Sequence, residues 1–329
     1  MKLIDADYLK NNGKYADIIK YKDKVVWRRL GQKFDGPGVI LRYTASDNTT
    51  KPTLNTTSLA HNTVITGSGP YSYEITVDDI SLLYRIRFTN KPLLTVDYVN
   101  APNLANMQSM FGGCSSLTSL NLENCNTSKV TDMKQTFMNC SSLAKLDLSN
   151  FNTSNVTDMD STFYGCKALT SLNLSNFNTS KVTTMYYMFR DCQQLKYLNV
   201  NNFNTSSCTN MYAMFYNCKA LISLDLSNFN TSKVTNMQHM FNNCPSLTSL
   251  NLSNFNMANV TNTGSMFYGC TSLHTLRLDN CDYYTIYNII TSSSFPTNEI
   301  SGVTRKIYCK ETNAFGLTLP TNWVFSYID

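Results

Sequence analysis

Seven of the eleven cysteines in this chain, Cys114, Cys140, Cys166, Cys192, Cys218, Cys244 and Cys270, stand 26 residues apart. Thiolates are strong nucleophiles and soft metal ligands, but sites built from them use close, unequal spacings such as C-x-x-C. A fixed long period instead marks one structural unit copied along the chain. The other titratable groups form no reacting set. His61, His239 and His274 have no partner at a recurring distance. Asp158 and Asp160 lie two apart and read as solvated charges in the first turn of a short helix. Gly67-Ser68-Gly69-Pro70 is a turn rather than a phosphate loop, because no Lys-Ser/Thr follows it. With no nucleophile–base–orienter set, no metal spacing and no cofactor fingerprint, a non-enzymatic protein without cofactor or metal is expected.

The chemistry that remains is recognition. One full copy, from Phe151, reads FNTSNVTDMDSTFYGCKALTSLNLSN, and its positions are numbered here as slots 1 to 26. Slots 10, 11 and 14 are expected to point outward. In the middle copies they hold Tyr164, Tyr186, Tyr187, Arg190, Tyr212 and Tyr216, with Tyr268 further on, where outer copies have Gln, Ser, Lys or Asn. Tyrosine and arginine are enriched at binding hot spots, and exposed rings stack on sugars, so these six are the candidate ligand-binding residues. The bland alternative is that tyrosine is simply common here, with 20 in the chain. A competing surface is the polar ladder at slots 21, 23 and 25, from Ser119, Asn121 and Glu123 through Tyr197, Asn199 and Asn201. It offers little to anchor a partner, although solenoids often bind on that face.

The elements that must position these residues follow from the other slots. L-x-x-L-x-L at slots 19 to 24 alternates at its end and predicts a short strand. Val, Met, Met/Thr and Phe at slots 6, 9, 12 and 13 have the spacing of one helical face. Thr at slot 7 suits the helix N-cap, and Gly, Asn or Asp at slot 15 suits the left-handed residue that ends a helix. Each coil therefore reads as strand, turn, short helix, turn, and buries its apolar face only by stacking on neighbours. Cys125 and Cys281 at slot 1 and Cys208 at slot 6 are small apolar fillers. The slot-16 thiols are expected to be buried and reduced, because helices on the outside of a curved array lie too far apart for disulfides. Asn126-Thr127-Ser128 and its copies match the N-glycosylation pattern, but they recur because the turn recurs.

Leu117-x-x-Leu120-x-Leu122-x-x-Cys125 and Leu273-x-x-Leu276-x-Leu278-x-x-Cys281 match the leucine-rich-repeat core. The unit FNTSxVTxMxxMFxxCxxLxxLxLSN resembles the BspA-like leucine-rich-repeat family of bacterial surface proteins, over residues 99–281. That resemblance implies an α/β solenoid, a right-handed coil of strand–turn–short helix units with an N-terminal β region and a C-terminal cap. For function it implies adhesion or recognition, since a fold does not fix what its surface binds.

The flanks complete the expected organisation. Residues 1–34 hold nine Lys/Arg against four Asp/Glu and so carry the net +5, whereas 99–281 are near neutral. Ala16 to Trp27 resembles segments at the start of bacterial-virus tail and appendage proteins. Ile18, Ile19, Tyr21, Val25, Val26 and Trp27 are the candidate virion-attachment residues, with a hairpin packing on the next region as the plain alternative. Residues 35–98 read as a small β-rich lead-in whose Leu94-Thr95-Val96 protects the first strand edge. Residues 282–329 read as a C-terminal cap carrying Arg305-Lys306-Ile307-Tyr308 and Trp323, although Gly316 to Pro320 departs from the helical stretch usual in the family.

The basic segment is short and lacks Arg-rich runs, so no nucleic-acid partner is expected, and no apolar run is long enough for membrane insertion. Met1 to Asp7 has no signal-peptide core. Surface-type repeats without a leader point to a virion protein made in the host cytoplasm, with other virion proteins bound through the N-terminus. A host-surface glycan or protein would then bind the repeats, and self-association is possible. The alternative is a bacterial cell-surface adhesin or interaction protein.

Overall fold

A computed structural model describes residues 18–21, 24–28, 39–47, 49, 53–54, 61–66, 71–77, 86–291 and 295–328. Of the strands before residue 86, the side chains are described only from Tyr43 onward and only in β3; the turn expected at 67–70 and the side chain of His61 lie outside the described residues.

The chain opens with an antiparallel hairpin, β1 (Ile18–Tyr21) on β2 (Lys24–Arg28). A second sheet follows, in the order β5 (His61–Thr66), β6 (Tyr71–Val77), β3 (Val39–Ala45), β8 (Leu93–Val99), β9 (Ser119–Leu120). The first four strands pair antiparallel. β8 then pairs parallel with β9, the strand of the first repeat copy, through Thr95↔Ser119 and Val96↔Leu120. The lead-in region thus supplies the first rung of the repeat array and covers its edge, as an open strand edge requires. A short pair, β4 (Thr53–Leu54) with β7 (Ile86–Arg87), stands apart.

The repeats form a stacked array with a 26-residue rise, but they are not strand–helix units. No helix forms in any of the seven copies. Where slots 9 to 16 were expected to coil into a helix, their N–H groups alternate between two destinations. In the second copy Met133, Gln135, Phe137 and Asn139 donate to Asp158, Asp160, Thr162 and Tyr164 of the next coil, at 3.0, 2.8, 2.9 and 2.6 Å. Thr136, Met138 and Cys140 donate back within the coil to Met133, Gln135 and Phe137, at 3.2, 3.2 and 3.1 Å. The result is a run of tight turns laced to its neighbour.

Two features forbid the helix. Slots 11 and 15 have positive φ throughout, as at Ser161 (55°) and Gly165 (72°) or Tyr187 (57°) and Asp191 (61°). An α-helix is also about 10 Å across with its side chains, so helices here would splay the coils into a curve, away from the roughly 4.8 Å strand spacing. Inter-coil hydrogen bonds on both sides hold the coils close instead. The slot-7 threonines accordingly cap nothing. Thr157, Thr183, Thr209, Thr235 and Thr261 each donate N–H and hydroxyl to the slot-7 carbonyl of the preceding coil. The positive φ at slot 15 is as expected of Gly, Asn and Asp, but it closes a turn, not a helix. A Cβ on Gly165 would come within 2.1 Å of the Asn139 side chain.

The continuous ladder is therefore on the turn side. Single parallel bridges join slot 8 of all seven copies, from Asn106 through Asp132, Asp158, Thr184, Asn210 and Asn236 to Asn262. The leucine strands are interrupted by comparison. β10 (Ser171–Asn173) pairs with β11 (Tyr197–Asn199) and β12 (Ser249–Asn251) with β13 (Thr275–Arg277). The second and fifth copies contribute no strand, and both have Asp at slot 23, Asp147 and Asp225, where four strand-forming copies have Asn.

The core is a column. Phe88 of the lead-in and the slot-13 rings Phe111, Phe137, Phe163, Phe189, Phe215, Phe241 and Phe267 stack with centroids 5.6 to 6.1 Å apart and planes within 10°. Tyr43 of the lead-in sheet meets Phe88 edge-on at 4.8 Å. Phe295 closes the other end edge-on to Phe267 at 5.9 Å, followed by Trp323. Around the column the polar ladders the turns need are filled. Buried slot-3 threonines such as Thr153 bond the next coil at slot 2 in both directions, donating to Asn178 O and accepting from Asn178 N. Slot-26 Asn176 donates to Leu148 and Phe151 of the preceding coil at 2.9 and 2.7 Å, satisfying turn carbonyls that would otherwise be orphaned.

Beyond the seventh copy the array continues. α1 (Tyr283–Thr291) does form a helix, burying Ile286, Ile289 and Ile290. β14 (Arg305–Lys310) and β15 (Trp323–Ile328) then add two parallel strands to β13, with the single-turn α2 (Glu311–Ala314) between them. Arg305 is the keystone. Fully buried, it donates to Leu273, to Thr271 at 2.9 Å and to Asn298 at 2.8 and 2.9 Å, with Trp323 stacked 5.3 Å away.

Candidate recognition face

The six candidate residues come together on one face of the turn ladder. Slot 14 of the third to seventh copies reads Tyr164, Arg190, Tyr216, Asn242, Tyr268, an alternation set by the coil period. Arg190 is clasped, its guanidinium carbon 4.4 Å from the Tyr216 ring, 4.5 Å from Tyr187 and 5.6 Å from Tyr164. Tyr186 and Tyr212, both at slot 10, stack at 5.2 Å and 13°. Tyr187 fits against both, at 3.9 and 5.3 Å. The hydroxyl of Tyr187 is pushed up in pKa by burial and by its hydrogen bond with Tyr186, and it also bonds Tyr212.

Slot 11 is less outward than its sequence suggests. Ser109, Ser161 and Ala213 are buried there. Tyr187 and His239 occupy the same inward-starting backbone position and reach the surface only because they are long. His239 meets Tyr212 and Tyr216 edge-on at 5.6 and 6.2 Å. Its Nδ1 lies 3.1 Å from the Asn242 amide nitrogen, which also donates to Ser265 O. The imidazole is held below its usual range by burial and then by Arg190.

These contacts enclose an open groove of about 420 Å³, lined by Arg190, Tyr212, Tyr216, His239, Asn242, Ser265 and Tyr268. Asn242, 5 % exposed, lies at its base and Tyr268, 58 % exposed, stands at one side. Sequence reasoning left His239 as an isolated outward histidine and passed over Asn242 and Ser265. The available signal was the slot-14 alternation read together with slots 10 and 11 one coil along.

The slot-15 side chains run behind the groove. Asn243 donates to Asn217 at 2.7 Å, Asn217 donates to Asp191, and Asp191 accepts from Nε of Arg190 at 3.4 Å. Asp158 and Asp160 are held locally rather than at a helix start. Asp158 accepts from the Asp160 N–H at 2.8 Å, and Asp160 pairs with Lys134 at 2.7 Å. His274 bonds Thr275 at 3.0 Å. Among the described residues no three His, Cys, Asp or Glu groups could hold a metal ion, and no helix is long and apolar enough to cross a membrane. The polar face at slots 21, 23 and 25 is exposed through the first five copies, with Tyr197 at 68 %, and half-buried in the seventh at Thr275, Arg277 and Asp279.

The cysteines are buried and unpaired, yet the slot-16 thiols do more than fill space. Each donates to the slot-13 carbonyl of the preceding coil, as Cys140 does to Phe111 at 3.2 Å and Cys192 to Phe163 at 3.1 Å. Burial pushes the Cys166 thiol up to about 12.

At the other end of the chain the hairpin aligns Ile18 with Arg28, Ile19 with Trp27, Lys20 with Val25 and Tyr21 with Lys24. The candidate attachment residues Ile18, Ile19, Tyr21, Val25, Val26 and Trp27 thus share one small ribbon, with their side chains outside the described residues.

No curated protein matches the chain. One family model does, over residues 105–221 and again over 186–295, and the two matches together span more than half of the sequence. They cover the repeats and do not reach the N-terminal hairpin. The chain belongs to the repeat family described as "Mycoplasma protein of unknown function, DUF285".

Proposed function

We propose that this is a non-enzymatic surface-recognition protein, in which the repeat array is a rigid frame and the Tyr164–Tyr268 face is the binding surface. One observation carries the reading. The same slots that hold Gln, Ser, Met or Gly in outer copies hold half-exposed tyrosines and a clasped arginine in consecutive central copies. Packing does not demand that change, so binding is its natural purpose. The array is read as a right-handed leucine-rich-repeat coil, because parallel neighbours joined by a crossover are wound right-handed in about 98 % of cases.

The proposed setting is an adhesin-like display of the array toward a cell surface. The virion setting draws on the N-terminal hairpin, which the family match does not reach, and labelled antibody on particles versus bacterial surfaces separates the two. The binding face is tested by changing Tyr186, Tyr187, Tyr212 and Tyr216 together to Ser in the full chain. Small or polar residues already occupy these slots in other copies, Gln108, Gln238 and Gly264 at slot 10, Ser161 and Ser265 at slot 11 and Gly112 at slot 14, so the melting profile should be kept. Binding to target cells should fall by at least a hundredfold, about 3 kcal/mol, because hot-spot truncations cost more than about 1 kcal/mol each and do not simply add. Full-strength binding after the change would move the site to the polar face around Tyr197.

A further inference from the structure

We propose that the groove between Arg190 and Tyr268 binds a sugar bearing a carboxylate, with Arg190 as the anion-recognising residue. This rests on the reading of the aromatic face as the recognition surface and names the ligand class for it.

Arginine is usually a mobile surface side chain. Here its guanidinium carbon lies 4.5 Å from the centre of the Tyr187 ring and 4.4 Å from that of Tyr216. Its Nε is tied to Asp191 at 3.4 Å. Asp191 is itself held by the amide chain from Asn243 through Asn217. The side chain is therefore held by three rings and a carboxylate before any ligand arrives, which lowers the ordering cost of binding. The two terminal nitrogens take no protein acceptor among the described residues, and the residue lines the groove. An oriented guanidinium edge with free N–H groups matches the two oxygens of a carboxylate. Asp191 neutralises part of the charge, so the edge recognises an acid by geometry more than by long-range attraction.

The rest of the groove is suited to a sugar ring. Tyr216 and Tyr268 stand two coils apart, about 10 Å at strand spacing, with Asn242 between them. That gap admits one ring in stacking contact with tyrosine. A volume of about 420 Å³ falls in the range of small-ligand sites, roughly 300–1,000 Å³. Polar groups converge on the same space. Because the Asn242 amide nitrogen faces Nδ1 of His239 at 3.1 Å, the neutral ring carries its proton on Nε2, as a donor for a hydroxyl or ring oxygen. Aromatic wall, donor edge and side amide together describe an acidic pyranose better than a neutral one or a peptide side chain.

The test is calorimetric titration of the full chain with a galacturonic acid tetramer, a galactose tetramer, and sialyllactose against lactose, at fixed salt near 0.15 M. The expected result is at least tenfold tighter binding of an acidic sugar than of its neutral counterpart. The pair that shows the preference tells a uronic acid from a sialic acid. Arg190→Gln should abolish the preference and leave the melting profile intact. Arg190→Lys should lose most of it, because lysine keeps the charge without the planar fork. Equal affinity for acid and neutral sugars overturns the proposal, as does a preference that survives Arg190→Gln, or no binding of any of the four at millimolar concentration. If sugars fail while the four-tyrosine variant still loses cell binding, the recognition face stands and only the acidic-sugar assignment falls.

Discussion

Removing one ring from the middle of the phenylalanine column tests the whole architecture. Phe189 is fully buried and stacks at 5.6 Å on Phe163 and at 5.6 Å on Phe215, with planes 4° off parallel in both cases. Truncating a buried Phe to Ala costs about 3–5 kcal/mol, and the upper part of that range applies where the surroundings cannot collapse into the space. Collapse is hindered here. The backbone on both sides is pinned by inter-coil bonds, Phe189 N–H to Met214 O at 2.9 Å and Phe163 N–H to Met188 O at 2.9 Å. The loss also falls on two interfaces at once, since each coil of a stacked array is stabilised by both neighbours. A long array need not unfold in one step, so the informative assay is hydrogen exchange followed by mass spectrometry of peptides. Phe189→Ala should speed exchange in the third, fourth and fifth copies far more than in the first or in the β13–β15 cap. In the melting curve, about 4 kcal/mol corresponds to a fall of roughly 10 °C for a domain of this size. Exchange that rises only within the fourth copy would refute the column as the coupling element. An unchanged melt would mean that slot 13 is not core.

Two further outcomes are expected. The native protein at pH 8 should resist thiol-alkylating reagents at every cysteine and show no disulfide by mass spectrometry, while all react once unfolded. With Cys166 pushed up to about 12 by burial, only about one thiol in ten thousand is thiolate at that pH, and native labelling faster than unfolding would refute the buried ladder. The second outcome concerns His239, whose folded pKa is depressed by burial and then by Arg190. Its neutral form is the one the groove favours, so its stabilising contribution is complete above the unfolded value of about 6.5. That contribution is lost as pH falls through the lower folded value. An NMR titration of its ring protons should show a midpoint below about 6.5 that rises toward that value in Arg190→Gln, and a midpoint at or above 6.5 in the unaltered chain refutes the contact.

The period and the core slots are legible in the sequence because packing repeats identity. Phe at slot 13 and Leu at slots 19 and 22 recur without exception in the seven copies. The helix was misread for a physical reason. Apolar residues at slots 6, 9, 12, 13 and 16 are also what successive three-residue turns bury, so spacing alone does not tell the two apart. What argued against a helix was present elsewhere. Slot 8 is Asn or Asp in six of seven copies, from Asn106 to Asn262, and such side chains favour bonding their own backbone over helix interiors. Asp132 does this, accepting from the Lys134 N–H at 2.9 Å. Phe88 escaped notice because it stands 23 residues before Phe111, off the period, and only the stacking of its ring shows it to be the first member of the column. The tyrosines were visible as departures from the repeat, whereas the groove depends on how slots 10, 11 and 14 of successive coils interleave.

That interleaving bears on why Tyr187 and His239 sit where they do. Every copy bends through positive φ at slot 11, where in the first six copies the N–H donates to the next coil. Serine, alanine or glutamine fills the position in the other five copies. A tyrosine at a φ of 57° is an uncommon choice and carries a backbone cost of order 1–3 kcal/mol, whereas histidine, here at 60°, is among the residues that enter this region more readily. The frame supplies the constraint; it does not supply a reason to put aromatic rings on it. The two positions lie two coils apart, one covering the face of Arg190 and the other lining the groove beside it. Small residues would take away one ring packed on the guanidinium and one wall of the groove. Strain that the array tolerates at slot 11 in every copy is thus converted, in two copies only, into side chains held at fixed angles around one arginine.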